Sequence, residues 1–286
     1  MAASAAAMAA GPFSNSLGWA AERQPGSKIK LGLVTYMWGA EWDLSTIIKN
    51  LEASGVLGVE LRTTHAHGVE PDLTAKQRAE VKRRFDDSPA ELVGLGSNEN
   101  FDNPDPAVLK KSIEATKDFV RLSRDVGSSG VKVKPNSFHK GVDHKKTIEQ
   151  IGRSLNEVGR FAGDLGQQIR LEVHGQCSPP PIMKQIMDVA DNPNVVICWN
   201  SNKPDLEGKG LRYNFNLLKD RMGPTCHIRT LDYKNYPFQE LVDLFVAMDY
   251  DGWLLMECTD HPKDVVAEMA RQKKLLAEMI VTARKA

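Results

Sequence analysis

The feature that most constrains this chain is a repeat of form. From residue 28 to residue 283, a short apolar run followed by an amphipathic helical stretch comes eight times. The runs lie at 28–38 (with Ile29, Leu31, Leu33 and Val34), 55–62, 91–96, 130–135, 169–175, 195–200, 225–230 and 253–257. Between them the apolar residues take helical spacing. Asp43 caps a helix carrying Leu44, Ile47, Ile48 and Leu51,. Further helices are predicted over 73–87, 104–126, 145–165, 181–190, 214–222, 238–248 and 265–283. A strand that returns through a helix to the next strand builds a parallel sheet. Eight such units, spaced roughly 25 to 40 residues apart, predict an α/β fold of one (β/α)8 TIM barrel over 28–286,. The competing open doubly wound sheet carries fewer strands, and a dinucleotide-binding version needs Gly-x-Gly-x-x-Gly at a helix start. Gly94-Leu95-Gly96 lacks both the third glycine and the helix.

Residues 1–27 do not follow the pattern. The alanine-rich start and Gly11-Pro12, with no charge before Glu22, read as the later part of a bacterial secretory signal whose basic leading region is missing,. The expectation is an exported or periplasmic protein if this is a truncated signal, and a cytoplasmic one otherwise. At about ten residues the apolar run is too short to span a bilayer. Lys plus Arg and Asp plus Glu both number 37, a balance that argues against nucleic acid or an anionic membrane surface as partner,. The four cysteines have no Cys-x-x-Cys spacing, which speaks against a zinc knuckle or a dithiol redox site,.

Chemistry is expected at the carboxyl ends of the strands. In Arg170-Leu171-Glu172-Val173-His174 the two-residue alternation turns Arg170, Glu172 and His174 to one face,. Burying three ionisable groups costs several kcal/mol per ion, so that face needs a metal or a strongly polar cavity. The same alternation points Glu60, Arg62, Lys132, Lys134, Asn200, His227, Arg229 and Glu257 inward, with Asn98 just past the third strand. Two carboxylates, an imidazole and an amide oxygen on four consecutive strands suit a hard or borderline divalent ion. The ordinary alternatives are a solvated edge strand for 170–174, an internal Glu60–Arg62 pair, and a satisfied core histidine at His227. His65 and His67 sit in the loop after the second strand, where one of them is expected to contact substrate. His139, His144 and His261 are expected to face solvent.

The motifs Gly58-Val59-Glu60-Leu61-Arg62, Leu171-Glu172-Val173-His174, Cys198-Trp199-Asn200-Ser201-Asn202, Cys226-His227-Ile228-Arg229 and Gly252-Trp253-Leu254-Leu255-Met256-Glu257 resemble the xylose-isomerase-like barrel family of sugar-phosphate isomerases, ketose epimerases and inosose dehydratases. The resemblance implies a divalent metal, most often manganese (Mn2+), with Co2+, Mg2+ or Zn2+ as alternatives, held by Glu172, Asn200, His227 and Glu257. The family usually has Asp where this chain has Asn200, which implies weaker metal binding and a more acidic ion.

The implied reaction is isomerisation or epimerisation of a carbohydrate by proton abstraction next to a carbonyl, with Glu172 and Glu257 moving the protons. Lys134, His174 and Arg229, with His65 or His67, would bind hydroxyls or a phosphate, and Trp38 would offer an apolar wall. The same intermediate serves a lyase or dehydratase acting on an oxidised sugar, and a non-catalytic sugar-binding barrel is the remaining alternative. A nuclease of the endonuclease-four type needs more zinc-binding histidines than this chain has, including one where Lys203 stands. A homo-oligomer is possible, since barrels of this family often associate.

Overall fold

The strands of this protein lead into polar residues at the barrel mouth, and five of the eight helices begin on a side chain that accepts from a free amide. The computed structural model describes Met1 and residues 24–285. The eight parallel strands are β1 (Lys30–Val34), β2 (Gly58–Arg62), β3 (Glu91–Asn100), β4 (Gly130–Lys134), β5 (Gln168–Glu172), β6 (Val195–Cys198), β7 (Thr225–Ile228) and β8 (Trp253–Met256). The helices after them are α1 (Leu44–Ser54), α2 (Ala75–Asp86), α3 (Pro106–Asp125), α4 (His144–Asp164), α5 (Pro180–Val189), α6 (Leu211–Leu218), α7 (Phe238–Ala247) and α8 (Val265–Ala283). Hydrogen bonding runs continuously from β6 through β1 to β7, and the remaining β6–β7 seam is bridged at Asn200 and His227, so the sheet is a nearly closed TIM barrel. The signal-like segment expected over 1–27 falls largely outside the described residues. Among the described residues no helix is long and apolar enough to cross a membrane.

Capping follows the sequence closely. Asp43 accepts from the Thr46 amide at 2.7 Å, Thr74 and Gln77 form a reciprocal box, and Asp105, Asp143 and Asp264 cap α3, α4 and α8,. β3 continues to Asn100, past the expected end at Gly96. The apolar pattern stops at Gly96, but Ser97 donates to the Lys132 carbonyl at 2.7 Å and Asn100 still pairs with Lys134. This polar extension lies where the mouth is polar on both sides. β5 is shorter than expected, because Gly175 takes a left-handed φ of 69° and turns the chain away after His174,.

Inside the barrel, Val34, Val93, Trp253 and Leu255 form an apolar floor. It exists because Gly58 has no side chain: a Cβ there would lie 2.4 Å from the Trp253 ring. Above this floor, Gly94 and Gly96, which did not fit a dinucleotide loop, make room for charge. A Cβ on Gly96 would meet Glu60 Oε1 at 2.8 Å, and one on Gly94 would meet Arg170 Nη1 at 2.9 Å.

Candidate active site

The charged interior is built in two layers, with β2 and β4 to β8 each giving, in the strand or just past its end, one residue to the lower layer and the residue two positions later to the upper,. The lower layer holds Glu60, Lys132, Glu172, Asn200, His227 and Glu257. Glu60, Lys132, Glu172 and His227 are buried, and Asn200 and Glu257 are half-buried. His227 stands at its centre. Its Nε2 lies 3.2 Å from Glu60 Oε1, and its Nδ1 lies 3.7 Å from Glu172 Oε1 and 3.5 Å from Glu257 Oε2. Lys132 Nζ lies 2.9 Å from Glu172 Oε2. Asn200 Nδ2 donates to Glu172 Oε1 at 2.7 Å and, more weakly, to Glu257 Oε2 at 3.4 Å. Below them Arg170 donates to the Val93 carbonyl and to Ser129 Oγ, both at 2.7 Å.

For the four fully buried ionisable members of this layer, burial opposes the charge and the neighbours outweigh it. For Glu172 the Lys132 ammonium and His227 hold the carboxyl well below its usual range,. Glu60 is lowered against its burial by His227, Lys132 and Arg170. Lys132 is raised against its burial by Glu172, Glu60 and Glu257. Burial works against a charged His227, but Cys198, Glu60 and Glu257 outweigh it and hold the imidazole well above the ordinary histidine value.

The upper layer is Arg62, Lys134, His174, Asn202, Arg229 and Thr259, and with Tyr36 it lines a pocket of about 190 Å³ whose floor is Lys132, Glu172, Asn200 and Glu257. Of the expected site residues, Glu172, Asn200, Glu257, Lys134, His174 and Arg229 therefore meet in one pocket, with His227 directly beneath. Three do not join them. Trp38 is buried and donates its Nε1–H to the Asp260 carbonyl at 2.7 Å, because the chain bends back between Tyr36 and Gly39 and swings it out of the mouth. Tyr36 is the aromatic that faces the pocket. His67 is buried in its own loop: its Nδ1 accepts from the Val69 amide at 3.0 Å, which makes Nε2 the protonated nitrogen, donating to the Arg62 carbonyl at 2.8 Å. His65 lies behind Arg62, its Nε2 3.2 Å from Arg62 Nη1, and does not line the pocket.

The expected Glu60–Arg62 pair is also corrected. The two residues are on the same inner face, but Glu60 turns down to His227 while Arg62 turns up to Asn98 Oδ1 at 3.3 Å. Sequence reasoning missed Tyr36 and Thr259 and gave Asn202 no role. The last two are each two residues beyond a lower-layer residue, and that step was the available signal. Tyr36 follows β1 in a bend, where alternation gives no guide.

Asn202 is fixed from behind by Asp205. The buried Asp205 carboxylate accepts from the Asn202 amide and the Tyr236 hydroxyl, each at 2.8 Å, while its Oδ1 has no partner. Burial pushes this carboxyl from 3.8 up to about 7. A raised folded value stabilises the fold fully below about pH 4, and that contribution is lost as pH rises through about 7. The loss amounts to about 4 kcal/mol. Asp205→Asn is neutral throughout and keeps an acceptor for both donors. Urea unfolding of the two proteins is expected to show the variant gaining on the wild type by a few kcal/mol between pH 4 and 8. A constant difference across that range would remove Asp205 as the source.

Glu172, His227 and Glu257 each offer a donor atom within 4.8 Å of the others. Glu172 Oε2 and His227 Nδ1 are buried without a well-formed hydrogen bond. His227 has the arrangement of a metal-binding histidine, one nitrogen facing the donor cluster and the other backed by the Glu60 carboxylate. The donor set fits a divalent ion of intermediate hardness, with Asn200 able to turn its amide oxygen inward as a fourth ligand.

The chain belongs to the xylose isomerase-like TIM barrel family, whose model matches residues 48–278. No curated protein matches it in sequence. Among solved structures it resembles L-ribulose 3-epimerase, at 16% identity and TM-score 0.76 over 90% of this chain and 96% of that one. It also resembles 3-keto-D-glucoside 4-epimerase from E. coli, at 13% identity and TM-score 0.74 over 88% of this chain and 100% of that one. The IOLI protein with a binding zinc atom is similar at 16% identity and TM-score 0.72, over 88% of this chain and 98% of that one. At these identities the likeness is one of fold.

Proposed function

We propose that this protein is a divalent-metal-dependent isomerase or epimerase of a sugar or sugar derivative, acting by proton transfer next to a carbonyl through an enediolate. The observation that carries the reading is the convergence of Glu172 and Glu257 on His227 Nδ1 at the floor of a polar pocket. Glu172, His227, Glu257 and Asn200 would hold the ion, manganese first, with cobalt, magnesium or zinc as alternatives. Bound there, the ion supplies Lewis acidity to a carbonyl and its neighbouring hydroxyl.

The remaining work falls to the chain itself. Glu172 and Glu257 come from strands on different sides of the mouth, so one removes the proton from a substrate carbon and the other returns one. Return to the opposite face of the same carbon is epimerisation, and return to the neighbouring carbon is isomerisation. Lys132, fixed on Glu172 at 2.9 Å and open to the pocket, keeps that carboxylate oriented and places a positive charge beside the developing oxyanion,. Glu60 holds the His227 ring in place from below.

A lyase or dehydratase acting on an oxidised sugar is the second reading, favoured by Lys134. Burial and the neighbouring Lys132 make its ammonium more acidic than an ordinary lysine, which suits protonation of a leaving hydroxyl.

The test is solvent exchange. Manganese-loaded protein is incubated in D2O with ketoses, sugar phosphates and oxidised glycosides, and the carbon-bound proton next to the carbonyl is followed by NMR. Exchange is expected with at least one class, and Glu257→Gln should slow it by about a hundredfold or more. Loss of a hydroxyl would select the lyase reading. A protein that binds metal but exchanges no proton would be a sugar-binding barrel.

A further inference from the structure

The two layers of the mouth differ in the sign of their charge. All three carboxylates, Glu60, Glu172 and Glu257, belong to the lower layer. Two positions further along the same strands stand Arg62, His174 and Thr259, and the steps Lys132 to Lys134, Asn200 to Asn202 and His227 to Arg229 complete a ring with no acid in it. Three of its members are cations. Among the described residues none of the three has a carboxylate within ion-pair distance, although the exposed helices of this protein are laced with such pairs.

The partners they have instead are neutral. Arg62 Nη2 and Lys134 Nζ both approach one oxygen, Asn98 Oδ1, at 3.3 Å. Arg229 donates to Thr259 Oγ1 at 2.8 Å. Two half-buried cations sharing a single amide oxygen is an unfavourable arrangement for an empty pocket, and a negatively charged guest relieves it. Neutral hydroxyls would not require three fixed positive charges; a phosphate or carboxylate would.

We propose that the upper layer is an anion subsite, formed by Arg62, Lys134 and Arg229, and that the natural substrate is a sugar derivative bearing a phosphate or carboxylate away from its reacting carbons. The subsite lies one strand step above the proton-transfer floor, so the charged group is held at the mouth while the carbonyl end reaches Glu172 and Glu257. This rests on the sugar-enediolate reading for the site as a whole, but concerns binding alone.

The experiment therefore measures binding, without turnover. Inorganic phosphate, D-fructose 6-phosphate, D-fructuronate and D-fructose are titrated calorimetrically into the manganese-loaded protein at low and at high salt. At low salt one or both charged sugars are expected to bind at least about tenfold tighter than fructose, with inorganic phosphate competing and the preference shrinking at high salt. The tighter of the two identifies phosphate or carboxylate. Lys134→Gln and Arg229→Gln should each cut the ratio of charged-sugar to fructose affinity to about threefold or less, whatever they do to fructose binding itself, and Lys134→Arg should restore it. Equal affinity for charged and neutral sugars, binding of none of the charged probes, or a preference that survives both glutamine variants would overturn the proposal. Absence of proton exchange would bear on the enediolate chemistry and leave this ratio untouched.

Discussion

Glu172→Gln is expected to reduce substrate proton exchange by about a thousandfold or more and to strip the site of metal. The substitution keeps the shape of the side chain but reverses half of its hydrogen bonding. One Glu172 oxygen lies 2.9 Å from Lys132 Nζ as a buried ion pair, and the other accepts from Asn200 Nδ2 at 2.7 Å. A glutamine must turn an NH2 toward one of these donors, so it loses a bond as well as the charge. Breaking a buried ion pair from one side costs about 3–5 kcal/mol. The lower part of that range is expected here, because Glu60 and Glu257 also act on Lys132. Turnover falls further than stability, since a proton acceptor is worth about 10²–10⁴ and a ligand is removed with it. Exchange rates, bound metal by mass spectrometry and urea unfolding separate the three effects. Exchange within tenfold of wild type would show that Glu172 is neither acceptor nor ligand.

The barrel was legible because its signals are local and repeated. Every strand carries its own apolar alternation and most helices their own cap, so an error at one boundary, such as the end of β3, does not propagate. The lower layer was legible for the same reason: period-two alternation fixes which side of a strand a residue takes once the fold is known, and it placed Glu172, Asn200, His227 and Glu257 together. Pairing within that layer was not legible. Whether Glu60 meets Arg62 or His227 depends on side-chain direction and on the space left by Gly94 and Gly96 on the neighbouring strand. Loops were the weakest part. His65, His67 and Trp38 all lie where no period operates; the two histidines bond back to Arg62 at the end of β2, and Trp38 bonds to Asp260 in the loop after β8. Tyr36 could be found only from the bend that follows β1.

The lower layer carries its own cation, and this sets what the Asn200 position can do. Lys132 occupies one oxygen of Glu172, and Asn200 presents donors to the carboxylates where the family usually places a third acid. Asn200→Asp is expected to bring a carboxylate against Glu172 Oε1 and Glu257 Oε2, with Lys132 beside Glu172 and His227 between the two glutamates to offset it. Without metal the variant should melt below wild type by several degrees, since unpaired like charges in a buried site are costly. With manganese the order should reverse, because the added charge is the ligand the ion lacks. Affinity is expected to rise by about a hundredfold, or about 2.7 kcal/mol. Lys132→Gln in the same background should raise it again by freeing Glu172 Oε2, though by less than in isolation, because the two positions share a partner. Calorimetric titration of manganese into wild type and the three variants measures each step, and thermal melts with and without the ion check the reversal. An affinity that stays at the wild-type value in Asn200→Asp would mean that the amide lies outside the coordination shell, with Glu172, His227 and Glu257 alone holding the ion.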